Sequence, residues 1–321
     1  MNPVIPHMTT MMTLVSVYRY LPQRGVRQGG DIPNRKARSG RRRQLLQFTQ
    51  ETILQGFRAQ HFDLKHRIVS FISQKLFAHY TYTIRHGLAK GMRRKGGLGF
   101  VPISPGETAE TKFLAEMQID GRVVYDIGAF EGVLTLFFAR RARQVVTWEP
   151  NPRNYGKCAE NIRLNQLRNV TLNNRGISDK RGTIELIYDP LMPGAGSGEA
   201  VIAEQIGSTV RTARKLLIPV LTLDEDVEQS AFPAPDLIKI DIEGMELPAL
   251  KGMAKTLARH SPALFIEMHG ATPKEKVENG IAVLGLLESY GYKSYDVEAA
   301  RYLTAATLGQ YRPGHLYCTR A

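Results

Sequence analysis

The chain has 321 residues, Lys+Arg 43 against Asp+Glu 30 for a formal net charge of +13, and 43% hydrophobic residues. A length near that of two ordinary domains and a globular apolar share exclude wholesale disorder. Two cysteines, Cys158 and Cys318, with no C-x-x-C pair, exclude a disulfide framework and a structural zinc site, and no other metal site is expected.

No apolar run reaches the ~18 residues of a spanning helix. The mildly apolar Met8–Tyr18 follows no basic residue, so it lacks the charged start of a signal peptide. The expectation is a soluble, cytoplasmic protein. Charge is uneven: residues 1–100 hold 18 Lys/Arg and 3 Asp/Glu, and residues 101–321 hold 25 and 27. The basic excess belongs to an N-terminal arm suited to a polyanion or to peripheral contact with an anionic membrane surface. No signature of a nucleic-acid-reading module accompanies it, and nothing fixes an oligomeric state.

Residues 1–43 carry Pro3, Pro6, Pro22, Pro33, the Gly29–Gly30 pair and Arg41–Arg43. They read as a disordered basic tail, too poor in buried-type residues to offset its ordering entropy. From Gln44 to about Lys90 the pattern turns helical. Ile68, Ile72, Leu76 and Tyr80 recur every fourth residue and lay an apolar stripe on one face. The run Gly91–Gly99 then breaks regular structure and closes a basic helical region spanning 44–95.

Residues 96–321 read as one domain. Strands are predicted at Val123–Ile127, Val145–Trp148, Val170–Asn173 and Gly182–Tyr188, with helices at Val133–Arg141 and Arg153–Gln166. Further strands at Leu216–Leu221, Leu237–Ile242, Leu264–Glu267 and Leu316–Thr319 alternate with helices at Glu246–Leu257 and near Lys276–Tyr290. Such alternation specifies an α/β fold, a largely parallel sheet covered by helices on both faces. The loop Pro190–Gly207, with Pro-Gly-Ala-Gly-Ser-Gly at 193–198, reads as flexible and lid-like.

The strongest chemical signal is Asp126-Ile-Gly128-Ala129-Phe130-Glu131-Gly132, a strand end, a glycine turn and a helix start. Gly128 permits the turn and Gly132 a close helix–strand approach, so a polar ligand can reach the helix N-terminus. The dinucleotide fingerprint wants a glycine where Asp126 stands, and Glu131 at the helix entrance repels a pyrophosphate. Carboxylates there suit a cationic group, such as the ammonium and sulfonium of S-adenosylmethionine (SAM). An ordinary strand–turn–helix junction accounts for the same residues.

Glu149, 23 positions after Asp126, ends the next strand in front of Pro150. A carboxylate there can accept both hydroxyls of a ribose. After the third strand, Ser178 and Asp179 stand where an adenine amine would lie, although Ser-Asp-Lys-Arg-Gly is also good turn chemistry. In Lys239-Ile-Asp241-Ile-Glu243, strict alternation puts three ionisable side chains on one strand face. Burying them unpaired is prohibitive, so a cleft, water or partners must meet them. A solvated edge strand is the plainer alternative. His269, just past the next strand, suits either a base towards a hydroxyl or a structural histidine.

Together Asp126-x-Gly-Ala-x-x-Gly132, Trp148-Glu149-Pro-Asn-Pro, Asn161-x-x-Leu-Asn165, Leu223-Asp224 and Lys239-x-Asp-x-Glu-Gly-x-Glu246 resemble the FkbM family of SAM-dependent methyltransferases. The resemblance covers about residues 96–321 and is silent on the basic arm. It implies a Rossmann-like class I methyltransferase fold, a seven-stranded sheet whose last strand, here Leu316–Thr319, runs antiparallel. It implies that Asp126, Gly128, Ala129, Phe130 and Gly132 shape the methionine end of a SAM site, with Glu149 and Pro150 at the ribose. Ser178 and Asp179 would lie at the adenine and Asp241 near the reacting methyl. Phe130 stands where many members carry a small polar residue and so reshapes the pocket wall.

Family members typically O-methylate hydroxyls of sugars or natural products, which makes a saccharide or small molecule the expected acceptor. On that reading Asp241 is the first candidate base and His269 the second. Glu243 orients the acceptor, and Lys239 pairs with a neighbouring carboxylate. Two other readings stay open: a nicotinamide-dependent oxidoreductase on the same sheet, and a non-catalytic scaffold working through its basic arm.

Overall fold

Val123–Ile127 is buried along its whole length, as a strand is when it has neighbours on both sides and helices above and below. The protein is described by a computed structural model over residues 77–96, 108–189, 192–198 and 213–320. The basic tail, residues 1–43, and the stripe residues Ile68, Ile72 and Leu76 lie outside the described residues. So does the anionic-surface contact read for that region.

Among the described residues the first elements are a hairpin, β1 (Thr81–Thr83) and β2 (Arg93–Lys95), followed by α1 (Ala109–Glu116), β3 (Val123–Ile127) and α2 (Val133–Ala139). Next come β4 (Gln144–Trp148), α3 (Pro152–Leu164), β5 (Val170–Asn173), β6 (Gly176–Ile177), β7 (Gly182–Asp189) and β8 (Met192–Ser197). β9 (Arg214–Leu221), α4 (Leu223–Ser230), β10 (Leu237–Ile240), α5 (Glu246–Lys251) and α6 (Ala254–His260) follow. β11 (Ala263–Glu267), α7 (Pro273–Ser289), β12 (Tyr292–Asp296), β13 (Arg301–Leu303) and β14 (His315–Arg320) complete it.

The main sheet runs β13-β12-β14-β11-β10-β3-β4-β5. β5, β4, β3, β10 and β11 are mutually parallel, and β14 is antiparallel to β11 and β12. This is the Rossmann-like arrangement expected, with β14 as the reversed strand and β13 added at the edge. A second, four-stranded sheet has the order β6-β9-β7-β8. Strand order reverses between β3 and β10, so their carboxyl-end loops part and leave a crevice.

The crevice stands on a rigid base. Trp148, Ile238, Ile240, Leu264 and Ile266 pack on one sheet face with Leu250, Leu257, Leu284 and Leu287 from the helices. Val124, Val145, Leu237 and Phe265 meet Leu114 and Phe138 on the other. Each large apolar side chain taken fully out of water contributes about 1.5–3 kcal/mol. Local chemistry sets the helix starts: Asn151 caps α3 ahead of Pro152, and Thr222 closes a capping box on α4 with Glu225.

Several predicted elements are corrected. The strand read to Ile242 stops at Ile240, and the chain turns through Glu243 (φ +53°) and Gly244 (φ +100°). Lys239 therefore projects from a strand but Asp241 and Glu243 from a turn, and simple alternation does not place them. The helix read over Glu246–Leu257 is two, α5 and α6, broken at Gly252. A Cβ there would lie 1.9 Å from the Ser178 carbonyl oxygen, so the backbone of that junction presses on the β6 end. Thr81–Thr83, read as helical, is a strand, and Arg93–Lys95, read as a break, is its partner. Thr-Tyr-Thr favours extended backbone, and the turn uses Gly87 and Gly91 at φ +76° and +89°. Met192–Ser197 in the supposed loop is also a strand. β12, Tyr-Lys-Ser-Tyr-Asp, escapes a sequence reading because it has no aliphatic residue. Among the described residues no helix is long and apolar enough to cross a membrane.

Candidate active site

Past β3 the chain turns at Gly128, φ +87°, where a Cβ would lie 1.8 Å from the Asp241 carbonyl oxygen. Only glycine fits so close to a second backbone. The N–H groups of Gly128 and Ala129 both donate to the Trp148 carbonyl at 3.0 Å. Phe130, held at φ +53°, donates its N–H to Glu149 Oε2 at 2.8 Å. Gly132 starts α2 against α3, where a Cβ would meet Cys158 Sγ at 2.6 Å. The loop is thus fixed by the β4 end on one side and the β10 end on the other.

Glu149 is 5% exposed. Its Oε1 accepts from Asn151 N at 2.9 Å and from Asn154 Nδ2 at 3.5 Å. Burial pushes its pKa up to about 7, and these hydrogen bonds only moderate the rise. Glu149, Gly128, Phe130 and Pro150 line a cavity of about 280 Å³, walled on its apolar side by Ile177, Ile184, Ile218 and Val220. Asp241 and Glu243 line the same cavity.

At that far end, Lys239 Nζ lies 3.1 Å from Asp241 Oδ2, 3.6 Å from Asp126 Oδ1 and 3.2 Å from the Gly128 carbonyl. Burial alone would depress the ammonium, but Asp241 and Asp126 hold its pKa above the ordinary value. Burial raises the Asp241 carboxyl, with Lys239 opposing. Burial likewise pushes Glu243 up to about 7, against the pull of His269. His269 Nδ1 is 2.9 Å from Glu246 Oε1, and its Nε2 is 3.4 Å from Glu267 Oε1, 3.7 Å from Glu243 Oε2 and 3.9 Å from Asp241 Oδ1. Burial works against its charge, yet the surrounding carboxylates raise its pKa well above the usual value. That setting favours the protonated ring and counts against His269 as a base.

The remaining residues singled out in the sequence fall around this cavity in different ways. Asp126 is fully buried beneath the loop, where Oδ2 accepts from Thr135 Oγ1 at 2.6 Å. It reaches the cavity only through Lys239 and Asp241. Glu131 is not offered to a ligand: Arg94 of β2 and Lys157 of α3 take its two oxygens. Burial opposes ionisation there, but the two cations keep the carboxyl below its ordinary range. Ser178 donates its N–H to Leu221 O at 3.0 Å and its hydroxyl to Asp179 Oδ1 at 3.3 Å. From the same segment it is Arg175, Gly176 and Ile177 that line the cavity.

Sequence reasoning gave no role to Glu267, Glu246, Asn279 or Arg175. Glu267 lies two residues before His269 at one strand end, a signal that was available. Asn279 sits mid-helix on α7 and carries none. Arg175 pairs with Asp226 at 2.6 Å, and Asp226 also accepts from Trp148 Nε1 at 2.7 Å, which fixes that wall. Asp241, Glu267 and His269 each offer a ligand atom within 4.8 Å of the others. No metal site was expected, because these donors come from two different strand ends.

Comparison with known proteins places this geometry. The model of the methyltransferase FkbM domain matches residues 126–294. The hexuronic acid methyltransferase AglP of Haloferax volcanii is 28% identical over 171 residues, 53% of this chain and 66% of that protein. The 2-O-methyltransferase NoeI of Sinorhizobium fredii is 27% identical over 151 residues, 43% of this chain and 59% of that protein. The chain thus spans less than two thirds of the length of these relatives. The crystal structure of methyltransferase FkbM from Methylobacillus flagellatus KT covers 66% of this chain and 48% of its own, at 19% identity and a TM-score of 0.43. Because the domain match takes in more than half of the chain and every strand end that forms the cavity, the chain belongs to the FkbM methyltransferase family.

Proposed function

We propose that the chain is a SAM-dependent O-methyltransferase acting on a hydroxyl of a saccharide or a natural-product-like small molecule. One observation carries this reading: a single cavity is lined both by the buried carboxylate ending β4, Glu149, and by the Asp241–Glu243 turn ending β10. The names of the relatives, a hexuronic acid methyltransferase and a 2-O-methyltransferase, support the acceptor class.

The residues present fit the donor. Glu149 is already anchored by Phe130 and Asn151 on its protein side, so its remaining lone pairs can accept ribose hydroxyls. Ile177, Ile184 and Val220 give an apolar wall suited to a purine. Gly128, without a side chain, leaves the methionine end open. When bound, SAM supplies a methyl group activated by a sulfonium.

The protein's own task is alignment and proton removal. Lys239 holds Asp241 Oδ2, which leaves Oδ1 to keep the acceptor hydroxyl in line; alignment of this kind is worth about 7–11 kcal/mol. As the acceptor oxygen gains the methyl carbon, its proton passes to Glu243, whose pKa of about 7 suits a base at neutral pH. Such a base contributes about 10²–10⁴-fold. The carboxylates that favour a protonated His269, and the grip of Glu246 on its Nδ1, suit it to positioning rather than to the role of base.

The test is incubation with methyl-labelled SAM and a panel of neutral and acidic saccharides. Label that enters a saccharide and withstands mild alkali marks an ether and supports the reading. Label released by alkali, label on nitrogen, or no transfer to any hydroxyl compound overturns it.

A further inference from the structure

Around His269 Nε2 the protein gathers three carboxylates. Asp241, Glu243 and Glu267 all present an oxygen within 3.9 Å of that nitrogen. Lys239 lies against Asp241 and His315 Nε2 lies 3.7 Å from Glu267 Oε2, whereas Glu243 has no cation but His269 within 4.0 Å among the described residues. Converging carboxylates are costly unless a cation sits among them.

A second observation is independent of that charge. Glu246, fully buried, is locked by Gly244 N at 3.0 Å and Asn279 Nδ2 at 2.9 Å, and accepts from His269 Nδ1 at 2.9 Å. Asn279 Nδ2 also donates to the His269 carbonyl at 3.0 Å. A buried carboxylate gripping Nδ1 fixes the ring and aims Nε2 outward, which is how proteins orient a metal-binding imidazole.

The spacing agrees as well. His269 Nε2 stands 3.4 Å from Glu267 Oε1 and 3.9 Å from Asp241 Oδ1, and the three donor atoms lie within 4.8 Å of one another. Donors at about 2.0–2.4 Å from one cation lie roughly 3–4 Å apart when adjacent.

We propose that Asp241, Glu267 and His269 bind one divalent cation of the Mg²⁺/Mn²⁺ class, with water in its remaining positions. Two carboxylates favour a hard cation over zinc, and a single imidazole is compatible with Mn²⁺. On binding, the cation takes the Nε2 lone pair and the proton leaves to solvent. Resting on the O-methyltransferase reading, the cation exchanges a water for the acceptor hydroxyl, so that Asp241 Oδ1 aligns it through the cation, and makes that proton easier to remove. The proton then passes to Glu243, whose Oε2 stands 3.7 Å from His269 Nε2 beside the cation. Glu246 is a positioning residue for the cation.

The test titrates the full chain, without SAM, with Mn²⁺, following loss of the free-ion paramagnetic resonance signal. One saturable Mn²⁺ per chain is expected, displaced by excess Mg²⁺. Glu267→Gln and His269→Ala should each weaken it more than tenfold, and Glu246→Gln about 10–100-fold. Thermal unfolding with and without Mn²⁺ supplies a second readout: the ion should raise the midpoint of the wild type but not of Glu267→Gln. No saturable binding, or equal binding in all variants, overturns the proposal. SAM binding measured alongside separates the two readings, since its loss in the wild type would strike the methyltransferase assignment and leave the cation site standing.

Discussion

At the β4 end of the cavity, Glu149 is held mainly by the backbone, through the N–H groups of Phe130 and Asn151. At the β10 and β11 end, His269 is held by side chains from separate elements, Glu246 of α5 and Glu267 of β11, with Asn279 of α7 gripping Glu246 in turn. The first end is a rigid mould made by a loop with obligatory glycines. The second is an ionic cluster whose members hold one another. The difference suggests a division of labour, a preformed site for a constant donor and a charged, adjustable site for the acceptor.

The largest expected effect breaks the second end. Asp241→Ala should lower methyl transfer by about 10²-fold or more, because the acceptor loses its alignment, while SAM affinity changes only a few-fold, as read by labelled turnover and calorimetry. Wild-type turnover would place the chemistry elsewhere. Gly128→Ala attacks the joint between the two ends. Its Cβ would meet the Asp241 carbonyl at 1.8 Å, on a backbone at φ +87°, so a loss of about 3 kcal/mol or more of unfolding free energy is expected. A urea melt indistinguishable from wild type would mean that the loop and the turn do not touch.

Glu149→Ala tests the mould alone. Removing a charged acceptor of hydroxyl groups should weaken SAM by about 10–100-fold, with turnover at saturation much less affected. The smallest effect is a pH dependence at the same residue. The Glu149 pKa is raised to about 7 in the folded chain from an ordinary 4.5. Its contribution to stability is therefore full below about 4.5 and is lost as pH rises through about 7. SAM affinity should move the opposite way, because the ionised form accepts hydroxyls better, rising up to about tenfold between roughly pH 6 and 8. Glu149→Gln should flatten that profile.

The unequal legibility of the two ends has the same physical origin. Gly128, Gly132 and Glu149 could be read from the sequence because backbone geometry demands particular residues at fixed spacing along one strand–loop–helix unit. The sheet was legible for the same reason, apart from β12, whose polar residues hide its alternation, the three-residue edge strand β13, and the hairpin 81–95. The ionic cluster was legible only in part. Asp241, Glu243 and His269 were singled out, but the buried Glu246 and Asn279 that orient the imidazole come together only after α5 and α7 dock. Glu131 shows the converse: it looked like a ligand carboxylate, and tertiary pairing with Arg94 and Lys157 spends its charge.

Both ends act together only if the cavity between Glu149 and Asp241 receives SAM. Isothermal titration of the full chain with SAM, and separately with NAD, tests it most directly. Saturable binding of one SAM per chain with no heat from NAD is the predicted result. Binding of NAD, or no binding of SAM, would contradict it.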